Sequence, residues 1–173
     1  ENPAVISNQQ INILRLLGQG NSLQEVCRQF GDRKRGFGVG KELGKICDTF
    51  GVSGETAAVV HALNTGILKT EELVEKDFDW TLFNDLRPMQ ISILEALTHA
   101  RREALGEGEL ASLNISSSED PQYYVRRSIR LARDKLGLEN ETQTVVYYYA
   151  FRERQKEQGD LTVPARETIL TKE

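Results

Sequence analysis

The chain has 173 residues, of which 28% are charged and 39% hydrophobic, and its formal net charge is -4 at pH 7. This composition is typical of a globular protein and excludes an intrinsically disordered one. Because the chain has no basic tail, any nucleic-acid contact has to come from a local patch on an acidic surface. No apolar run has the length of a membrane span, so we expect a soluble, cytoplasmic protein with no membrane contact.

The cysteines and histidines give no sign of a metal centre or a catalytic site. Cys27 and Cys47 lie on apolar helical faces without CxxC spacing or a neighbouring histidine, a pattern typical of buried thiols in a reducing compartment. His61 and His99 each stand alone, and no set of Ser, His and Asp indicates nucleophilic chemistry. We therefore expect no metal, no cofactor and no enzymatic activity.

Capping signals mark the first two predicted helices. Ser7 with Gln10, and Ser22 with Glu25, have the spacing of capping boxes, in which each side chain bonds the backbone of the other residue. Apolar residues follow each box at helical spacing. Two short helices joined by a glycine turn are half of a helix-turn-helix.

A glycine-rich run, GFGVGK, opens the third predicted helix. It follows no strand and lacks the first glycine and the Ser or Thr of a phosphate-binding loop. Since each helical glycine costs about 1 kcal/mol relative to alanine, we expect this helix to begin late, near Val39 or Lys41. A fourth helix is predicted over residues 53–68.

The second half repeats the first. QISIL (90–94) matches QINIL (10–14), and IRLARDKLGLENETQTVV (129–146) matches LGKICDTFGVSGETAAVV (43–60). The spacing between matching segments grows by several residues, which we place in a longer helix over residues 96–105. A connecting segment over residues 70–85 is expected to pack through Phe78, Trp80 and Phe83.

The third helix of the second copy has two faces. Val125, Ile129, Ala132 and Leu136 recur as one apolar stripe, and a basic stripe that includes Arg130 lies about a quarter-turn away. A helix that is buried on one side and basic on the other is typical of a nucleic-acid reader. The alternative is a solvated face whose arginines make ion pairs with nearby acids.

Each half of the chain carries two runs of one pattern. The first half has NILRLLGQGNSLQEVCRQFG and KICDTFGVSGETAAVVHALNTGIL, and the second has SILEALTHARREALGEGELASLNIS and RLARDKLGLENETQTVVYYYAF. Together they resemble the LuxR/FixJ-type (GerE-like) helix-turn-helix domain of bacterial transcription regulators. Both copies lack the family's Thr-Val-Lys opening of the third helix. The resemblance implies an all-α fold of two tandem four-helix helix-turn-helix units, winged-helix-like but wingless. We place the first copy at 1–69, a linker at 70–85, the second copy at 86–158 and a C-terminal tail at 159–173.

In the resembled family the third helix enters the DNA major groove, and domains pair through their fourth helices. The resemblance therefore implies a DNA-binding transcription regulator whose two copies pair within one chain, Ala57–Leu63 against Val145–Phe151. An alternative is a degenerate helix-turn-helix module that binds another protein or itself. The implied DNA-binding residues are Gln122, Tyr123, Arg126, Arg127, Arg130 and Arg133 in the second copy and Arg35, Lys41 and Lys45 in the first. The implied pairing residues are Val60, Leu63, Val145, Tyr148 and Tyr149.

Overall fold

A computed structural model describes residues 6–30, 37–102, 104–115 and 120–159 of the chain. Over these residues the structure consists of eight α-helices and two short 3-10 helices, without a β-strand. The prediction of an all-α fold is therefore confirmed. None of the described helices is both long enough and apolar enough to cross a membrane.

Four α-helices precede a connecting segment and four follow it. The first four are α1 (Asn8–Gly18), α2 (Leu23–Gln29), α3 (Phe37–Phe50) and α4 (Glu55–Asn64). The last four are α5 (Pro88–Leu97), α6 (Glu107–Ser112), α7 (Pro121–Leu136) and α8 (Glu141–Glu157). The connecting segment contains the two 3-10 helices, Thr70–Glu72 and Trp80–Asp85.

Both predicted capping boxes are present at the starts of α1 and α2. The backbone N–H of Ser7 donates to Gln10 Oε1 at 2.9 Å, and the N–H of Gln10 donates to Ser7 Oγ at 3.2 Å. The N–H of Ser22 donates to Glu25 Oε2 at 2.6 Å, and hydrogen bonds from Ser22 hold the pKa of Glu25 below its usual value. These bonds satisfy backbone donors that have no partner within the helix.

The prediction that α3 begins near Val39 or Lys41 is wrong, because the helix already begins at Phe37. Val39 and Ile46 are buried in the hydrophobic interior. Burying these two side chains stabilises the fold by about 1.5–3 kcal/mol each, which matches or exceeds the cost of about 1 kcal/mol for each of the three glycines in α3.

The predicted long helix over residues 96–105 is also wrong, because α5 ends at Leu97. Thr98 is fully buried at this end. Its hydroxyl accepts a hydrogen bond from Arg152 Nη1 at 2.9 Å, and its carbonyl accepts one from Asn64 Nδ2 at 3.3 Å. These long-range bonds fix the chain where the helix stops, so the extra residues of the second half form the connection to α6, with Leu105 buried.

Two hydrophobic clusters form the interior. The first is built mainly from α1 to α4 and includes Ile13 and Ile46. The second is built mainly from the connecting segment and α5 to α8 and includes Ile93. Each cluster also contains one buried valine from the other half: Val146 of α8 lies in the first, and Val60 of α4 lies in the second. The two halves therefore share their cores.

Helix α4 packs against α8. At their contact the hydroxyl oxygens of Thr56 and Thr142 lie 2.7 Å apart in a buried hydrogen bond. These two residues are 86 positions apart and occupy the same place in the repeated ETxxVV segment. The repeat therefore meets itself at this point.

Hydrogen bonds to backbone carbonyls also join the start of each of these two helices to the opposite half. The N–H of Ser53, just before α4, donates to the Arg101 carbonyl at 2.8 Å in the connection between α5 and α6. The side-chain amide of Asn140, which caps α8, donates to the Gly20 carbonyl at 2.7 Å in the connection between α1 and α2. Each half is thus tied to the first interhelical connection of the other.

The connecting segment packs through its aromatic side chains, as predicted. Phe83 is buried in the second cluster and stacks on Phe151 with ring centroids 4.5 Å apart. Phe78 contacts Trp80 edge-on at 4.9 Å and Tyr147 at 4.7 Å. The segment is therefore packed on the second core through its rings, and its buried leucine lies in the first cluster.

Candidate nucleic-acid interface

Helix α7 carries the candidate interface, and its apolar stripe holds it in place. Val125, Ile129, Ala132 and Leu136 are all buried in the second cluster, as predicted. At its start Asp120 Oδ1 accepts a hydrogen bond from the Tyr123 N–H at 2.9 Å, so that Asp120 caps the helix. In the sequence, Ser116 and Glu119 also have the spacing of a capping box, and both lie outside the described residues.

The opposite side of α7 presents three exposed arginines, Arg126, Arg127 and Arg130. None of the ion pairs formed by the described residues involves any of them. A guanidinium group carries five N–H donors in a planar fork and stays charged at any physiological pH. These three groups are therefore available for an anionic partner.

Two other predicted DNA-binding residues of α7 are engaged within the protein. The side-chain amide of Gln122 donates to the Leu105 carbonyl at 2.7 Å, which ties the start of α7 to the connection before α6. Arg133 is half-buried and pairs with Asp134, with Nη2 and Oδ1 2.7 Å apart. Gln122 therefore helps to hold α7, whereas Arg133 pairs with its own neighbour on the helix, and the donors of both are partly used.

Large exposed apolar side chains also lie on α7. Among the described residues, the exposed large hydrophobic side chains are Tyr123, Tyr124 and Leu131. Tyr123 was predicted, whereas Leu131, 44% exposed, was not part of the predicted site. In the sequence its signal is an apolar residue that lies between Arg130 and Arg133 and outside the apolar stripe. Tyrosine and arginine are both enriched where proteins meet partners.

The equivalent helix of the first half, α3, presents much less charge. Lys41 is exposed, whereas Lys45 pairs with Glu42, with Nζ and Oε1 2.6 Å apart. The hydrogen bond from Lys45 lowers the pKa of the Glu42 carboxyl. Arg35, the third predicted basic residue of this copy, lies outside the described residues.

The predicted pairing residues are in or against the interior. Val60, Leu63, Val145 and Tyr148 are buried, and Tyr149 is half-buried against the first cluster. Of the five, Val60 and Tyr149 pack in the cluster of the opposite half, whereas the others pack within their own. Sequence reasoning missed the closest contact between α4 and α8, the two threonines of the repeated ETxxVV segment.

The tyrosine cluster of α8 is largely internal. Tyr147 and Tyr148 are buried, and the Tyr148 hydroxyl donates to Glu95 Oε2 at 2.8 Å. Burial, and then the hydrogen bond to Glu95, raises the pKa of Tyr148. Only Tyr149 is partly accessible, so the cluster offers little surface to a separate partner.

A cavity of about 280 Å³ lies beside α7, between it and the starts of α4 and α8. Its lining includes Arg126 and two carboxylates, Glu55 and Glu141, each at the first position of its helix. Acidic side chains are stabilised at helix starts by the helix dipole. Arg126 lies at the edge of this cavity, whereas Arg127 and Arg130 do not line it.

The histidine of α4 and the two cysteines make contacts within the protein. His61 packs against Phe50 with ring centroids 4.4 Å apart, and burial, followed by the charge of Arg101, lowers its pKa. Cys27 is buried, and Cys47 Sγ lies 3.7 Å from the Gly54 carbonyl. Within the described ranges no group of three or more His, Cys, Asp or Glu side chains has the geometry to hold a metal ion.

No protein-family model, curated protein or solved structure matches this chain. The resemblance to LuxR/FixJ-type domains therefore stays a prediction from the sequence. The features that indicate a function are the exposed side chains of the helices, above all those of α7.

Proposed function

We propose that this protein is a DNA-binding transcription regulator and that α7 enters the major groove. The observation that carries the proposal is the set of exposed arginines, Arg126, Arg127 and Arg130, on a helix whose other side is buried. The short helix α6 precedes α7, and Leu110 of α6 lies in the same cluster as the apolar stripe of α7. A recognition helix of a helix-turn-helix requires this combination of rigid support and an accessible polar face.

The chemistry of these arginines suits both parts of DNA recognition. A guanidinium can donate two hydrogen bonds to O6 and N7 of guanine, or grip phosphate oxygens. Each neutralised phosphate releases counterions, so the logarithm of the binding constant should fall linearly with the logarithm of the salt concentration. The protein as a whole is acidic, so steering toward DNA depends on this local patch.

The test is the binding of mixed-sequence duplex DNA over a range of salt concentrations, measured by fluorescence anisotropy. Arg130→Glu should weaken binding by about tenfold or more, because it removes a cation and places a like charge beside phosphate. Lys76→Glu is the matched control, since it makes the same charge change at an exposed turn of the connecting segment. Its binding should stay within about twofold of the parent.

Circular dichroism should give the same helical signal for both variants, because both positions are exposed. Equal binding by Arg130→Glu and the parent would remove α7 as the interface. A parent that binds no DNA even at low salt would end the proposal.

A protein-binding module is the second candidate. The observation that favours it is the exposure of Tyr123, Tyr124 and Leu131 beside the arginines, a composition typical of interface hot spots. The tyrosines of α8 do not support this function, because two of them are buried. This candidate takes over if the parent fails to bind DNA.

A further inference from the structure

We propose that a single chain covers two neighbouring half-sites on a DNA duplex but reads the base sequence in only one of them. This inference rests on the DNA-binding function proposed above. It adds that the operator, the DNA sequence that the protein binds, is non-palindromic and that the protein occupies it in one orientation. Two features of the molecule carry it. The helices are related as in a two-fold pair, and the outer surfaces of α3 and α7 break that symmetry.

The first feature is visible where α4 meets α8. In a two-fold contact a residue on the axis meets its own equivalent, and residues off the axis make reciprocal contacts. Thr56 and Thr142, equivalent in the repeat, bond each other at 2.7 Å. Val60 and Val146, also equivalent, are exchanged between the two hydrophobic clusters. Both observations are those expected of an internal dimer.

Each half is also tied to the first interhelical connection of the other, through groups that do not match in the repeat. The Ser53 N–H, before α4, donates to the Arg101 carbonyl between α5 and α6, and the Asn140 side-chain amide, before α8, donates to the Gly20 carbonyl between α1 and α2. Helix α3 packs against α4 and α7 packs against α8, so each third helix flanks the fourth helix of its own half.

The two third helices share one register. Val39 of α3 and Val125 of α7 are buried at matching positions. The glycines that follow the two helices, Gly51 and Gly137, also match, and both have left-handed backbone with φ of 65° and 67°. A left-handed residue after a helix strongly favours glycine, so this shared ending confirms the alignment of the two helices.

At this register the places of Arg126 and Arg130 on α7 are held by Gly40 and Gly44 on α3. A glycine has no side chain with which to contact a base. Lys41 remains exposed on α3, and a lysine ammonium acts as a flexible point charge suited to phosphate. Over the described residues of α3 the arginine pair of α7 has no counterpart, so we assign base reading to α7 and contact with the DNA backbone to α3.

The glycines also offer a direct test, because a Cβ atom added at Gly40 or Gly44 would meet no atom within 4 Å in the described structure. The double variant Gly40→Arg/Gly44→Arg therefore places the α7 arginines on α3 in open space. Arginine also favours a helix by nearly 1 kcal/mol per position over glycine, so the variant is expected to fold.

The experiment is selection of bound sequences from a duplex library randomised over about three helical turns. The parent should enrich a sequence in one half-site only, while hydroxyl-radical footprinting shows protection of both. The double variant should enrich the same sequence as an inverted repeat. It should also bind that repeat about tenfold or more tightly than the parent does, since each bidentate contact discriminates by that order.

The outcomes separate this inference from the proposed function. A parent that enriches an inverted repeat, or protects only one half-site, binds DNA but overturns the inference. A parent that enriches no sequence and shows no protection removes the proposed function itself. If the double variant does not fold by circular dichroism, the parent's selection and footprint decide alone. A folded double variant that still selects a single half-site also overturns the inference.

Discussion

Replacing Val146 with alanine tests whether the two halves fold as one unit. Val146 lies on α8 but is fully buried in the cluster built from α1 to α4. The change removes two methyl groups, worth about 0.8 kcal/mol each in burial, and leaves a small cavity that adds to the loss. We expect the free energy of unfolding to fall by about 2 kcal/mol, which lowers the melting temperature by about 4–8 °C for a protein of this size.

Two probes follow different parts of the molecule. Circular dichroism reports all helices, whereas Trp80, the single tryptophan, packs against the second cluster and reports that half by fluorescence. Although Val146 packs in the first cluster, the Trp80 transition should shift together with the circular dichroism transition. Coincident transitions are expected because the two clusters exchange valines and share buried contacts between α4 and α8.

Leu131→Ala is the control, since it also truncates an aliphatic side chain on a helix but at an exposed position. Its melting temperature should change little, because surface substitutions are usually worth less than about 0.5 kcal/mol. An unchanged Trp80 transition beside a shifted or biphasic circular dichroism curve would refute the shared core. A fall in the melting temperature of Val146→Ala no larger than that of Leu131→Ala would also refute it.

Two further predictions concern the contacts between the halves and their dependence on pH. Thr142→Val leaves the buried Thr56 hydroxyl without its partner and should cost about 1–3 kcal/mol, while the double change Thr56→Val/Thr142→Val should cost less than the sum of the single ones in urea unfolding. The pKa of His61 is lowered below its ordinary value of 6.5 by burial and then by the charge of Arg101. Its neutral form is therefore favoured in the folded protein, so stability should be full above pH 6.5 and fall as the pH drops below it. His61→Gln should flatten that fall below pH 6.5, and an unchanged pH profile of melting temperature would contradict the assignment.

Local patterns in the chain predicted much of the helical structure. The spacing of Ser7 with Gln10 and of Ser22 with Glu25 predicted both capping boxes, because capping is a contact between residues three apart. The apolar stripe of α7 was equally readable, since a helix that buries one face repeats apolar residues with its own period. These features need no knowledge of distant parts of the chain.

Other features depended on contacts between distant residues. The end of α5 at Leu97 follows from the burial of Thr98 and its bonds to Asn64 and Arg152, which no pattern near residue 98 encodes. In α3 the prediction failed in the other direction, since the helix begins at Phe37 although glycines follow directly. Local propensity is a weak term beside packing.

The candidate interface divides in the same way. The sequence alone identified α7 as the basic helix, since Arg126, Arg127 and Arg130 fall outside its apolar stripe. Only the structure distinguished these three arginines from Arg133 and Gln122, whose polar groups are already engaged. An ion pair or a hydrogen bond to a distant carbonyl requires the positions of both partners, and those come from the fold.

What the sequence by itself determined was the number and faces of the helices and the duplication, because side chains that bury one helical face recur at the helical period. What only the tertiary structure decided was which buried residues meet. Val145 and Val146 are neighbours on α8 with the same side chain and the same burial, yet Val145 packs in the second cluster and Val146 in the first. The physical reason is that α8 is enclosed on both sides at this point, so periodicity cannot distinguish its two buried faces, and only the packing of α4 against α8 assigns each valine to its cluster.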